Sequence, residues 1–402
     1  MFKLQSLRVR LKNELKRFAW TTQIIGENIS VQDNEIQEEY RFPYIWLRDN
    51  CQCSECFHTP SKSRIINAEH FDFDIKPQEI EVLESRLKVK WSDNHLSYFT
   101  ISWLKNHRFS SKHQKYWLHN VYRPCPQPWR ANEFSRILQR FNYNDVLKRE
   151  DTLLSWLESL AIWGVALIKD AGVKENTLLG LCNRVAFVKH TQYGNIFGVK
   201  AKPGTSNVAY LSGPLQLHTD LPYYEYKPGV LMLHCLIQAS ENGGENQLSD
   251  GLAVCTDLKQ NFPNDYKILA NTPVDWSDIV EEDNKQYYSL YRAPVISENP
   301  NGDLVRINFS QPQRDSHFNI PLEQIIPWYK AYKRLVQTLH NPKYKVFHRL
   351  KQGDILTFDN LRLPHGRSSY DGERYLQGCY MDWDHVYSKM RILKTIAQNN
   401  QS

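Results

Sequence analysis

What the chain lacks narrows its class first. No uninterrupted apolar run approaches the ~20 residues that a membrane-spanning helix needs, so a soluble protein with no membrane partner is expected. The formal net charge is only +6, and no Lys/Arg stripe is interleaved with stacking aromatics; this argues against a nucleic-acid partner. Internal repeats and low-complexity tracts are absent. So is the dense spacing of a disulfide framework, since eight cysteines are spread over 402 residues. Three crowd together at Cys51, Cys53 and Cys56, while the others are scattered, several in apolar stretches such as VLMLHC. A reducing compartment and a thiolate-bound metal fit this usage.

The segment Met1 to Phe18 is poor in serine and has Glu14 as its only acid. Basic and loosely amphipathic, it suits either a mitochondrial presequence or a basic surface helix. The expected location is cytoplasmic, with mitochondrial as the alternative.

The chain is long enough for one large core and a smaller module. Its 11 Trp, 22 Tyr and 17 Phe supply that core and leave rings for a recognition pocket. From Ile24 to Trp103 short strands are expected (RFPYIWLRDN, IEVLESRLKVKW, SYFTI), with no long helical period. A polar stretch and the proline-rich YRPCPQPWR follow, so the domains are placed at 24–110 and 111–402. The second begins with the helix DTLLSWLESLAIWG, stopped by Gly164, and then becomes rich in short strands: GVLMLHCLIQ, NQLSD, KVFHRL, DILTFDN and RYLQGCYMDWD. GLAVCTDLKQNF and LEQIIPWYKAYKRLVQTLH read as helices. The expected fold class is mostly β with flanking helices: a double-stranded β-helix (jelly-roll) domain behind a small β-rich N-terminal domain.

Two constellations carry chemistry. LQLHTDLPYY contains His218 and Asp220, and on a strand residues i and i+2 share a face. Two imidazoles and one carboxylate on one side of an ion, with positions left open, is the pattern of non-haem Fe(II) oxygenases. The third ligand has to be a later histidine. His365, about 145 residues on in TFDNLRLPHGR, is preferred to His234, His317, His340, His348 and His385 because Arg374 follows nine residues later. Its guanidinium fork suits the distal carboxylate of 2-oxoglutarate. Cys51, Cys53 and Cys56 place three thiolates within six residues, which suits tetrahedral zinc. The fourth ligand is open among His58, His70 and His95. A zinc-stabilised binding protein without catalysis is the rival from another class.

Continuous stretches from about Pro43 to Leu393 (WLRDNCQCSEC, NVAYLSG, LQLHTDLP, TPVDWSDI, VRINFS, GDILTFDNLRLPHGR, MDWDHVYSKMRIL) resemble the γ-butyrobetaine dioxygenase family. The resemblance implies Fe(II) on His218, Asp220 and His365, 2-oxoglutarate on Arg374, and zinc on the three cysteines with His95. It implies an aromatic cage for a trimethylammonium substrate from Tyr193, Phe197, Tyr210 and Tyr380, and substrate-carboxylate binding by Asn207 and Asn308. Phe197 stands where tryptophan is usual. The reaction implied is O2-dependent hydroxylation of γ-butyrobetaine to L-carnitine by a homodimer, with ascorbate as reductant. The short loop between His365 and Arg374 is closer to trimethyllysine dioxygenase, the alternative within the same chemistry.

Overall fold

The computed structural model describes residues 20–33, 38–201, 211–239, 242–282 and 284–399. The chain divides into two compact units, 1–118 and 119–402.

In the first unit, alternation of apolar and polar residues builds two antiparallel three-stranded meanders. One joins Trp20–Ile25, Asn28–Asp33 and Glu38–Pro43; the other joins Pro77–Val82, Arg86–Trp91 and Leu96–Thr100. In RLKVKW the apolar set Leu87, Val89 and Trp91 is fully buried, and it shares one core with Ile29, Val31, Tyr40 and Phe42. RFPYIWLRDN departs from the expected strand. The strand ends at Pro43, and Tyr44–Asp49 is a helical turn that buries Tyr44, Leu47 and Arg48. The i, i+3, i+4 spacing of those three fits a helix face, and Pro43 suits the position just before it.

Eight of the described strands of the second unit form its two-sheeted centre. We label them β1 (Phe197–Val199), β2 (Leu215–His218), β3 (Val230–Ile237), β4 (Asn246–Ser249), β5 (Lys345–His348), β6 (Ile355–Asp359), β7 (His365–Arg367) and β8 (Tyr375–Met381). One sheet has the order β1-β8-β3-β6, extended by Val165–Lys169 and Gln139–Asn142; the other has the order β2-β7-β4-β5. From β1 to β4 and again from β5 to β8, consecutive strands alternate between sheets, which is the jelly-roll winding. Strand β3 is apolar at every position but His234 because both of its faces are covered. Val230 and Met232 lie in a cluster with the helices Glu150–Trp163, Leu178–Val185 and Trp383–Asn399, whereas Leu231 and Cys235 face the core shared with Leu217 and Leu248 of the other sheet. Gly164 ends the first of these helices in the left-handed region, φ +76°. The C-terminal helix was not expected from the sequence, although Val386, Met390 and Leu393 recur at helical spacing. Between β4 and β5 the described chain inserts three helices, the antiparallel hairpin Val274–Glu282/Lys285–Ala293 and the short antiparallel pair Ile296–Glu298/Leu304–Ile307.

No helix among the described residues is long and apolar enough to cross a membrane.

Candidate functional site

β2 and β7 pair so that His218 lies directly opposite His365. Their rings stand 4.5 Å apart, centroid to centroid. The strand stops at His218, so Asp220 is not on the pleat as expected but in the bend beyond it. There Asn360, at the end of β6, holds its backbone from both sides. Asn360 Oδ1 accepts from the Asp220 N–H at 2.7 Å, and its Nδ2 donates to the Asp220 carbonyl at 3.0 Å. One carboxylate oxygen, Oδ1, faces His218 Nε2 at 3.1 Å and His365 Nε2 at 3.5 Å; the other accepts from Tyr380 Oη at 2.8 Å.

Each imidazole turns its Nδ1 to a carbonyl, Gln216 at 2.9 Å for His218 and Leu363 at 3.3 Å for His365. Proton-bearing Nδ1 atoms there leave two Nε2 lone pairs aimed at a carboxylate, a donor set with a divalent cation as its natural centre. Burial works against charge on Asp220, yet whenever a facing His365 or His218 ring carries a proton on Nε2 the carboxyl is held well below the ordinary range. Of the competing histidines, His234 is fully buried and bonds the Gly172 carbonyl at 2.8 Å, and His317 bonds Asp315. His348, expected on the surface, is half-buried with Nε2 enclosed.

The three side chains open onto a pocket between the two sheets, lined also by Tyr193, Phe197, Tyr223, Tyr380, Arg367 and Arg374. Phe197 and Tyr380 stack at 5.1 Å. Phe197 pairs across the strands with Gly378, where any Cβ would come within 2.3 Å of the Phe197 ring. Asn207 and Tyr210 lie outside the described residues. Asn308 is fully buried, is absent from the pocket wall, and donates Nδ2 to the Pro294 carbonyl at 2.9 Å, leaving Oδ1 without a hydrogen bond.

Arg374 sits just ahead of β8 and is 2% exposed. Its Nε has no hydrogen-bond partner, and no described acid forms an ion pair with it. Burial first, and Arg367 nearby second, lower its pKa to about 10. Arg362 shows what compensation looks like. Equally deep, it is bonded to Asp250 at 2.8 and 2.9 Å and to the Ile162 and Gln127 carbonyls. A buried guanidinium without such partners suits an incoming carboxylate. Gly244 makes room for it, since a Cβ there would stand 3.1 Å from the Arg374 shaft.

In the first unit, Cys51, Cys53, Cys56 and His95 converge, all ligand atoms lying within 4.8 Å of one another. His95 Nε2 is 3.3, 3.5 and 3.4 Å from the three sulfurs in that order. Zinc bonds of ~2.3 Å to sulfur and ~2.0 Å to nitrogen give tetrahedral S···N edges of about 3.5 Å, so the set fits that ion. Arg48, paired with Asp93 at 2.9 Å, donates to Cys56 Sγ at 3.4 Å and so supports a thiolate. Burial pushes the Cys56 thiol up to about 12, and a bound dication opposes that shift. The alternatives point elsewhere: His58 is exposed and bonds Ser61, and His70 is exposed in a short 3-10 turn.

Sequence reasoning missed Tyr223, Arg367 and Asn360. Tyr223 follows Asp220 by three positions, and Asn360 lies inside the TFDNLRLPHG stretch, so proximity to the ligands was the available signal.

Comparison with known proteins agrees with this geometry. The family profile "Taurine catabolism dioxygenase TauD, TfdA family" matches residues 122–380, and "Gamma-butyrobetaine hydroxylase-like, N-terminal" matches 26–105. Gamma-butyrobetaine dioxygenase of Homo sapiens is 35% identical over 90% of this chain and 94% of its own length. The enzyme of that name from Pseudomonas sp. (strain AK-1) is 31% identical over 88% and 90%. Mitochondrial trimethyllysine dioxygenase of Bos taurus is 27% identical over 88% and 83%. With a jelly roll, a two-histidine, one-carboxylate cluster and matches along nearly its whole length, this chain belongs to the γ-butyrobetaine dioxygenase family of iron(II)- and 2-oxoglutarate-dependent oxygenases.

Proposed function

We propose that the enzyme hydroxylates γ-butyrobetaine at C3, consuming O2 and 2-oxoglutarate and giving L-carnitine, succinate and CO2. The observation that carries this reading is the joint one: His218 Nε2, His365 Nε2 and Asp220 Oδ1 converge in a ring-walled pocket that also holds an uncompensated arginine. His218, Asp220 and His365 would hold Fe(II), which together with 2-oxoglutarate supplies the O2 activation and C–H oxidation that no side chain performs.

The chain's own residues then bind and orient. Arg374 anchors the far carboxylate of 2-oxoglutarate by charge-assisted hydrogen bonds in a site closed to water. Tyr380 fixes the Asp220 carboxylate through its hydroxyl while its ring stacks with Phe197. A quaternary ammonium offers no N–H, so ring faces recognise it, each worth on the order of 0.5–2 kcal/mol. Tyr193, Phe197 and Tyr380 serve here, with Tyr210 assigned by resemblance. The substrate carboxylate is left to Asn207, because Asn308 is fully buried away from the pocket wall. Held at both ends, the substrate presents one carbon to the reacting centre, and this positioning is the protein's main contribution to rate. In the first unit Cys51, Cys53, Cys56 and His95 would hold a structural zinc with no open position.

The short loop before Arg374 favours trimethyllysine as a second reading. A succinate-release assay with each compound separates the two. We expect γ-butyrobetaine to be turned over with the higher kcat/KM; a preference for trimethyllysine overturns the substrate assignment.

A further inference from the structure

Behind the tyrosines of the pocket lies a carboxylate that the reaction itself does not use. Asp278 sits on the strand Val274–Glu282, opposite Ser289 of the neighbouring strand. Gln192 Nε2 donates to its carboxylate Oδ2 at 2.9 Å and reaches Tyr223 Oη at 3.4 Å, and the Tyr223 and Tyr193 hydroxyls lie close enough to help hold the carboxylate charged. The Tyr193 and Tyr223 hydroxyls are 3.5 Å apart, and both residues line the pocket, whereas Asp278 does not. Gln192 is itself fixed by Tyr224, whose hydroxyl donates to Gln192 Oε1 at 3.2 Å.

The electrostatics of this cluster are one-sided. Among the described residues no lysine, arginine or histidine forms an ion pair with Asp278, whereas the more deeply buried Asp250 and Asp275 are paired with Arg362 and Arg292. Burial raises its pKa, and the donors from Tyr223, Gln192 and Tyr193 oppose that rise. A partly desolvated negative charge without a protein counter-ion is costly. A cation in the adjoining pocket would offset that cost. Phenols that donate to a carboxylate also become more electron-rich, which deepens the negative ring faces a cation meets.

We propose that Asp278 is the counter-charge of the substrate's quaternary ammonium. It acts through Tyr193 and Tyr223 without touching the substrate, and it makes the pocket prefer a fixed cation over a neutral group of the same shape. The inference rests on the reading of this pocket as a trimethylammonium site. Asp278 is a specificity-determining residue in this scheme and takes no part in the chemistry.

The test compares γ-butyrobetaine with 5,5-dimethylhexanoate, in which carbon replaces the nitrogen and the shape is kept. In the enzyme loaded with iron and 2-oxoglutarate, one measures KM and kcat for the betaine and the competitive inhibition constant of the isostere. For Asp278→Asn we expect KM for the betaine to rise about tenfold, as befits a charge interaction across roughly one ring in a partly desolvated site. The change falls on uniform binding, so kcat stays within about twofold, and the inhibition constant of the isostere does not move. Asp278→Glu, which keeps the charge, is expected to regain most of the preference. A preference that survives unchanged in Asp278→Asn, or a loss shared equally by both ligands, overturns the inference alone. A wild-type enzyme that binds the two equally overturns the cationic reading of the pocket and this inference with it. If Asp278→Asn does not fold, Asp278→Glu decides: preference retained supports the proposal, and preference lost with isostere binding intact overturns it.

Discussion

Cys51, Cys53, Cys56 and His95 surround a point on every side, whereas His218, Asp220 and His365 crowd to one side of theirs and leave the other facing a pocket. The first set comes from a few residues of one loop plus one hairpin turn. The second joins a strand end and the bend just beyond it, carrying His218 and Asp220, to a strand far along the chain that carries His365. A site of the first kind gains its geometry when the metal arrives, and the local fold then depends on that metal. A site of the second kind borrows its geometry from a packed scaffold, so the fold makes the site. Closed coordination serves structure; open coordination serves chemistry.

Four measurements would sharpen or break that contrast. The largest effect is expected for Cys56→Ala, because structural zinc in small domains contributes an apparent ~10–16 kcal/mol. Metal analysis should show zinc lost, and hydrogen exchange should show protection lost across the first unit; one zinc per chain with unchanged protection refutes the closed-site assignment. Asp220→Ala should abolish succinate release, by more than about 100-fold, since loss of a direct ligand exceeds the effect of losing its outer partners. Zinc content should stay as in the wild type, and retained turnover would remove Asp220 from the ligand set. For Arg374→Met, a lost charge-assisted pair worth ~1.5–3 kcal/mol predicts a 10- to 100-fold rise in KM for 2-oxoglutarate. A smaller rise would mean that Arg367 carries the anion. The smallest effect is expected for Phe197→Trp. The stronger quadrupole of indole should lower KM for γ-butyrobetaine about two- to fivefold, provided Gly378 still admits the larger ring; an increase would show that the notch is cut for phenylalanine.

How far each site could be read from the sequence follows from the same contrast. Three thiols in six residues announce themselves, and only the choice among His58, His70 and His95 needed the hairpin to fold back. His218 and Asp220 were legible through their spacing, but the expectation that both sit on one strand was too simple: the strand ends at His218 and Asn360 carries Asp220 onward. Asn360 is silent in the sequence because its role consists of two hydrogen bonds to a backbone 140 residues away. Asp278 is silent for a similar reason, since it acts through rings that are remote along the chain. The jelly roll was legible from short apolar strands punctuated by turns. The helix at Tyr44–Asp49 was not, because six residues of mixed apolar content suit either period.

Asn360 grips the Asp220 backbone from both sides. Those two bonds fix where the Asp220 main chain can lie, and so where its side chain starts from. The precision of the centre is therefore owed as much to a neutral amide that touches no reactant as to the carboxylate it steadies.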